Sequence, residues 1–146
     1  MVRHCKPDVI LTHNPHDYNP DHEITSKIIN DIQVMIPIAK IETEEPPCDK
    51  FPAVYYFEPA KGMGFVPTEY VDITDYFDTK CQMFLCHESQ KQWMADNYAG
   101  FSVDDAFVES VKIAAQYRGM QCGVKYAEGF IRNGDAYRMT PARLLP

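Results

Sequence analysis

Residues 7–29 read PDVILTHNPHDYNPDHEITSKII, and the architecture follows from how this stretch divides. Val9, Ile10 and Leu11 form a short unbroken apolar run behind the turn Lys6-Pro7-Asp8, the pattern of a strand buried inside a parallel sheet. Asn19-Pro20 then supplies an N-cap and a proline at the first helical position. The spacing predicts a helix from Pro20 to Met35, with Ile24, Ile28, Ile29, Ile32 and Met35 as its buried stripe and Pro37 ending the pattern. Between strand and helix lies a polar loop. It gathers His13, His16, Asp17, Asp21 and His22 at the carboxyl end of a strand, which is where open α/β sheets bind their ligands.

Working outward, residues 53–57 (AVYYF) are β-rich and predict a second strand closed by Glu58-Pro59, after an acidic, proline-containing surface loop at residues 42–47. Gly62 and Gly64 mark a further loop, and residues 70–74 predict a short extended edge. Thr74 or Asp75 can cap a helix that carries Lys80, Phe84, Leu85 and His87 toward Gln90. Ser102 and Asp105 have capping-box spacing for another helix, with Val108, Val111 and Ala115 on its apolar side and Gly119 at its expected stop. Residues 126–130 and the Leu144-Leu145-Pro146 end are too short to place. No repeat, low-complexity tract or composition shift divides the chain, so residues 1–146 read as one domain.

The bulk properties limit the function classes. With 45% hydrophobic and 24% charged residues over 146 positions, the composition is that of a soluble globular protein. A formal charge of -7 and a pI near 5.1 offer no basic stripe for a phosphate backbone, so no nucleic-acid partner is expected. Five cysteines, odd in number and without a CxxC, argue against a disulfide framework or a thiolate zinc site and place the chain in a reducing cytoplasm. No apolar run is long enough to span a bilayer, and the polar start MVRHCKPD lacks the apolar core of a signal peptide.

His22 falls in the first helical turn, at the positive end of the helix dipole. That field disfavours imidazolium and leaves a ring nitrogen available to a metal, and imidazole with carboxylate suits zinc. The plainer reading stands beside it: Asn19, Pro20 and Asp21 make a good helix start, and the histidines are polar loop residues. Asp21 can orient His22 as an outer partner or simply favour the helix terminus by its charge. Asp17 and Tyr18 can reach substrate hydroxyls, and His13 and His16 share their loop. His87, beside Phe84 and Leu85, reads as a satisfied histidine on a packed face, and Cys81 and Cys86 as small buried side chains.

The order of residues 7–29 resembles the second signature of the PIG-L/LmbE-type zinc-dependent N-deacetylases, the GlcNAc-phosphatidylinositol de-N-acetylase family, in which a strand ending in a polar loop leads to PDH at a helix start. The resemblance continues through Phe57-Glu58-Pro59, Pro67-Thr68, residues 71–74, Lys80, residues 87–90, Arg118-Gly119 and residues 126–130, and so covers nearly the whole chain. It implies an α/β fold with a Rossmann-like partial sheet and flanking helices, corresponding to the C-terminal half of such an enzyme. By the resemblance His22 is a zinc ligand. The family's other two ligands and its catalytic base come from an HPDD-type segment, and residues 1–146 contain none. Asn19 stands where many members carry histidine, giving NPDH for HPDH. Asparagine can donate a hydrogen bond to an oxyanion but cannot shuttle a proton near neutral pH.

The resemblance therefore implies hydrolysis of an N-acetyl group from an N-acetylglucosamine-type sugar conjugate, zinc polarising the amide carbonyl and activating water while a carboxylate takes the proton. The expected roles are catalytic for Asn19 and Asp21, substrate-binding for His16, Asp17 and Tyr18, and metal-binding for His22. With one zinc ligand in the chain, the isolated protein is expected to be weak or inactive. The expected partners are a small acetylated amino-sugar conjugate, with no membrane span, and either a second copy or a complementing N-terminal half. Two alternatives stay open: a noncatalytic binding remnant of the fold, and one chain of a split enzyme.

Overall fold

The computed structural model describes residues 1–97 and 102–134; the Leu144-Leu145-Pro146 end lies outside them. The described residues form two compact units, one of residues 1–69 together with 129–134, the other within residues 70–128. A single turn of helix, α1 (Val2–Cys5), leads into β1 (Val9–Thr12), the polar loop and α2 (Pro20–Met35); β2 (Ala53–Phe57) follows. Next come β3 (Glu69–Asp72), the helices α3 (Phe77–Leu85), α4 (Glu88–Asn97) and α5 (Val103–Cys122), and β4 (Ala127–Arg132). The four strands take the order β1-β2-β4-β3. This is the α/β sheet with flanking helices that the resemblance implies, but it is mixed rather than parallel, and β1, expected inside a parallel sheet, lies at its edge with Leu11 exposed. Among the described residues no helix is long and apolar enough to cross a membrane.

In the first unit β1 runs parallel to β2, pairing Val9 with Ala53 and Leu11 with Tyr55. β2 pairs antiparallel with β4, Tyr55 opposite Arg132 and Phe57 opposite Phe130. Ala53 to Tyr56 are all buried, as a strand with a neighbour on each side requires.

The helix α2 has the predicted bounds, with Asn19 as its cap and Pro20 at N1, but of the predicted stripe only Ile29 and Ile32 are even half-buried. Its buried residues are Ser26 and Gln33, whereas Ile24 and Ile28 are 56% and 52% exposed and Met35 is exposed as well. Residues two apart point about 200° apart around a helix, so burying 26 and 33 turns 24, 28 and 35 outward. Polar bonds seat the inner face: Gln33 Nε2 donates to the Pro52 carbonyl (2.9 Å), and Asn30 Oδ1 accepts from the Tyr56 hydroxyl (2.8 Å) and from Asn133 Nδ2 (3.0 Å).

Arg3, on α1, is only 8% exposed. Its guanidinium donates to the carbonyls of Met35 (3.1 Å), Ile36 (3.0 Å), Ile38 (2.8 Å) and Ile41 (2.8 Å). A cation thus satisfies the carbonyls at the C-terminal end of α2, where the helix dipole is negative.

The second unit has its own core of Ile73, Phe77, Cys81, Val111, Ala115 and Tyr126, with the Phe77 and Tyr126 rings stacked at 3.9 Å. The helix expected from residue 74 or 75 to Gln90 is instead a 3₁₀ turn, Thr74–Tyr76, followed by α3 and α4. The break falls at Cys86 and His87, where the Cys86 N–H bonds back to the Met83 carbonyl (3.2 Å) and tightens the last turn. Cys86 is therefore exposed, not buried, while Cys81 is buried as expected. His87 sits in the break, exposed, with only an edge contact to Phe84 at 6.0 Å.

α5 begins as predicted, Ser102 Oγ accepting from the Asp105 N–H (3.3 Å), but does not stop at Gly119. It ends at Cys122, and Gly123 supplies the left-handed residue at φ 82°. Gly119 has a different reason to be glycine: a Cβ there would stand 2.5 Å from the Val124 carbonyl oxygen and 2.8 Å from that of Lys125.

Candidate metal centre

The loop between β1 and α2 is folded by its own short polar side chains, which bond neighbouring backbone groups as turn-forming Asn and Asp do. Asn14 is buried, and its Oδ1 accepts from the His16 N–H (2.9 Å). Asp17 Oδ1 accepts from the Asn19 N–H (3.0 Å), and Asn19 Oδ1 accepts from the Asp21 N–H (2.9 Å), capping α2. The Asp17 N–H reaches Glu23 Oε1 at 3.3 Å.

This chain of turns aims the Asp17 carboxylate inward. Its side chain is 2% exposed, and Oδ1 lies 3.1 Å from Nδ1 of His22. The contact is close, yet His22 Nδ1 is sealed from solvent and makes no hydrogen bond of acceptable geometry. The His13 ring stacks on His22 with centroids 3.9 Å apart and planes 9° from parallel, and Phe57 meets His13 edge-on at 4.7 Å. Donor atoms of His13, Asp17 and His22 all lie within 4.8 Å of one another. Among the described residues, this is the group of His, Cys, Asp or Glu side chains that could hold a metal ion.

The electrostatics favour neutral imidazole at His13. Burial, and secondly the neighbouring His22, lower its pKa below the ordinary histidine value, while Asp17 acts in the opposite direction. Metal binding needs that unprotonated form. The residues present thus fit a zinc-type ion: two imidazoles, one carboxylate, and one buried ring nitrogen without a hydrogen bond.

The structure brings together some of the expected residues and not others. His22 occupies the first turn of α2, facing the loop. Asp17, expected on the substrate side, is the carboxylate that meets His22, whereas Asp21, considered for that role, is exposed. His13, a loop histidine given no expected role, joins the cluster; His16, expected to bind substrate, does not and is exposed. Tyr18 is 71% exposed, its ring edge-on to His22 at 5.8 Å. Asn19 serves as the helix cap. The signal for Asp17 was present in sequence as Asp17-Tyr18-Asn19, an Asx turn directly before a helix cap, but nothing in the spacing pairs His13 with His22.

No family model matches the chain. Three solved structures share its fold. The 4-carboxy-2-hydroxymuconate hydratase of Pseudomonas putida superposes with a TM-score of 0.68 at 20% identity, covering 97% of this chain and 58% of that one. A conserved protein of Thermus thermophilus gives 0.69 at 22% identity, covering 98% and 59%. The N,N'-diacetylchitobiose deacetylase of Pyrococcus horikoshii, solved with an inhibitor, gives 0.70 at 19% identity, covering 90% and 47%. The fold implied by the resemblance is therefore the fold found, and the chain spans less than two thirds of the length of each of these neighbours. A hydratase and a sugar deacetylase on one fold also show that the scaffold alone does not choose the reaction.

Proposed function

We propose that this chain is the part of a metal-dependent N-deacetylase that carries the later metal-binding histidine, acting on an N-acetylglucosamine-type sugar conjugate. The observation that carries the reading is His22, held at the start of α2 against the end of a parallel strand, with its sealed Nδ1 3.1 Å from the Asp17 carboxylate. The sugar deacetylase among the structural neighbours supports the choice of reaction. A bound zinc ion would supply Lewis acidity to an amide carbonyl and to water. The chain's own residues supply the rest: Asp17 places its carboxylate 3.1 Å from His22 Nδ1, and Asn19, whose Oδ1 is engaged as a cap, keeps Nδ2 to donate to a developing oxyanion. A carboxylate base belongs to an HPDD-type segment, which residues 1–146 do not contain.

Asn19 also favours a second reading, a noncatalytic sugar-binding remnant, since a capping asparagine replaces the proton shuttle. One assay separates the two. Acetate release from N,N'-diacetylchitobiose and N-acetylglucosamine conjugates is measured with zinc, for this chain and for a longer product that includes the coding sequence directly upstream. Release by the longer product, lost in His22→Ala, is expected. Folded, zinc-loaded protein that releases no acetate in either form, yet still binds the sugar, supports the remnant instead.

A further inference from the structure

We propose that His13, Asp17 and His22 form, within this chain alone, a three-donor site for a divalent first-row metal ion. Only His22 is marked as a ligand by the resemblance; His13 and Asp17 are added by the geometry.

The donor set is that of an open metal site, two imidazoles and a carboxylate with a position left for water. Two donors each about 2.0–2.2 Å from a tetrahedral ion lie about 3.3–3.6 Å apart; Asp17 Oδ1 and His22 Nδ1, at 3.1 Å, need part by only a few tenths of an ångström to admit one. That separation without hydrogen-bond geometry, at a nitrogen sealed from solvent, is what two ligands facing one ion present. The same Oδ1 accepts from the Asn19 N–H, and ligating carboxylates are commonly steadied by hydrogen bonds.

His13 has to move. With its ring nearly parallel to that of His22 and 3.9 Å above it, the in-plane lone pairs of the two rings cannot converge on one point. Rotation of His13 against the Phe57 edge exchanges the stack for a third metal bond. Ion binding and ring rotation are therefore coupled, and loss of the stack is a signature of occupancy.

The inference rests on the proposed reading only for the choice of zinc as the first ion to try. The test is calorimetric titration of the 146-residue chain with Zn²⁺, with thermal melts of the metal-free variants to establish folding. One equivalent is expected to bind. Affinity should fall at least about tenfold in His13→Ala and in Asp17→Asn, as removal of a ligand or its support does, and stay unchanged in His87→Ala. If His22→Ala does not fold, the first two variants decide alone. Folded chain that takes up no zinc, or His13→Ala and Asp17→Asn variants that bind as tightly as the parent, overturn the site. Zinc held by all three residues without acetate release by the longer product leaves the site standing and sinks the deacetylase reading. Acetate release with undiminished zinc affinity in His13→Ala does the reverse.

Discussion

The Asn19 side chain can be divided by substitution because its two functions use different atoms. Oδ1 caps α2, so Asn19→Ala is expected to cost about 1 kcal/mol, a fall in Tm of about 2–4 °C. Asn19→Asp keeps the cap and removes the Nδ2 donor. Its melting point should match the parent while acetate release by the longer product drops about 10²-fold; an unchanged rate leaves Asn19 as a cap and nothing more. Arg3 gives a second residue-scale expectation. Arg3→Lys should lower stability in urea unfolding by about 2–4 kcal/mol, because a point-like ammonium cannot serve four carbonyls spread from Met35 to Ile41. What was legible in the sequence at this scale was local. Asn19, Pro20 and His22 act on neighbours within one turn, and their places followed from order alone. The partners of Arg3 lie 32 to 42 residues away, and those of His13 were set by the loop's turns, so neither could be read from spacing.

At the scale of elements, β1, β2 and α2 were legible because each is bounded by a strong local signal: an apolar run, a β-rich run closed by Glu58-Pro59, and the Asn19-Pro20 cap. Which face of α2 is buried was not. Isoleucines at helical spacing define a stripe, but three hydrogen bonds from Gln33, Tyr56 and Asn133 seat the opposite side on the sheet. Gly119 shows the same limit. Read as a stop signal, it lies inside α5, where the chain after Gly123 passes too close for a Cβ. In an exposed helix interior Gly→Ala stabilises by about 1 kcal/mol. Here the sign should reverse, with Gly119→Ala costing about 1–3 kcal/mol from overpacking against backbone, as measured by thermal or urea unfolding. A stabilised Gly119→Ala would show that the approach of Val124 and Lys125 is not a constraint.

At the scale of the whole molecule, the sheet order places β1 at an edge, and Leu11, Ile24 and Ile28 are exposed large apolar side chains. The pair Ile24→Glu with Ile28→Lys has the i,i+4 orientation that suits a helix surface. It should change stability by less than about 0.5 kcal/mol in urea unfolding; a large loss of stability would mean that these residues are covered in solution. The metal centre is the claim on which the functional reading turns, and it is tested most directly by a crystal of the zinc-soaked chain, with anomalous difference maps recorded on both sides of the zinc absorption edge. One peak bounded by His13, Asp17 and His22 is expected, with the His13 ring turned out of its stack. A map with no peak there, from crystals in which the three side chains are ordered and His13 still lies flat on His22, would contradict it.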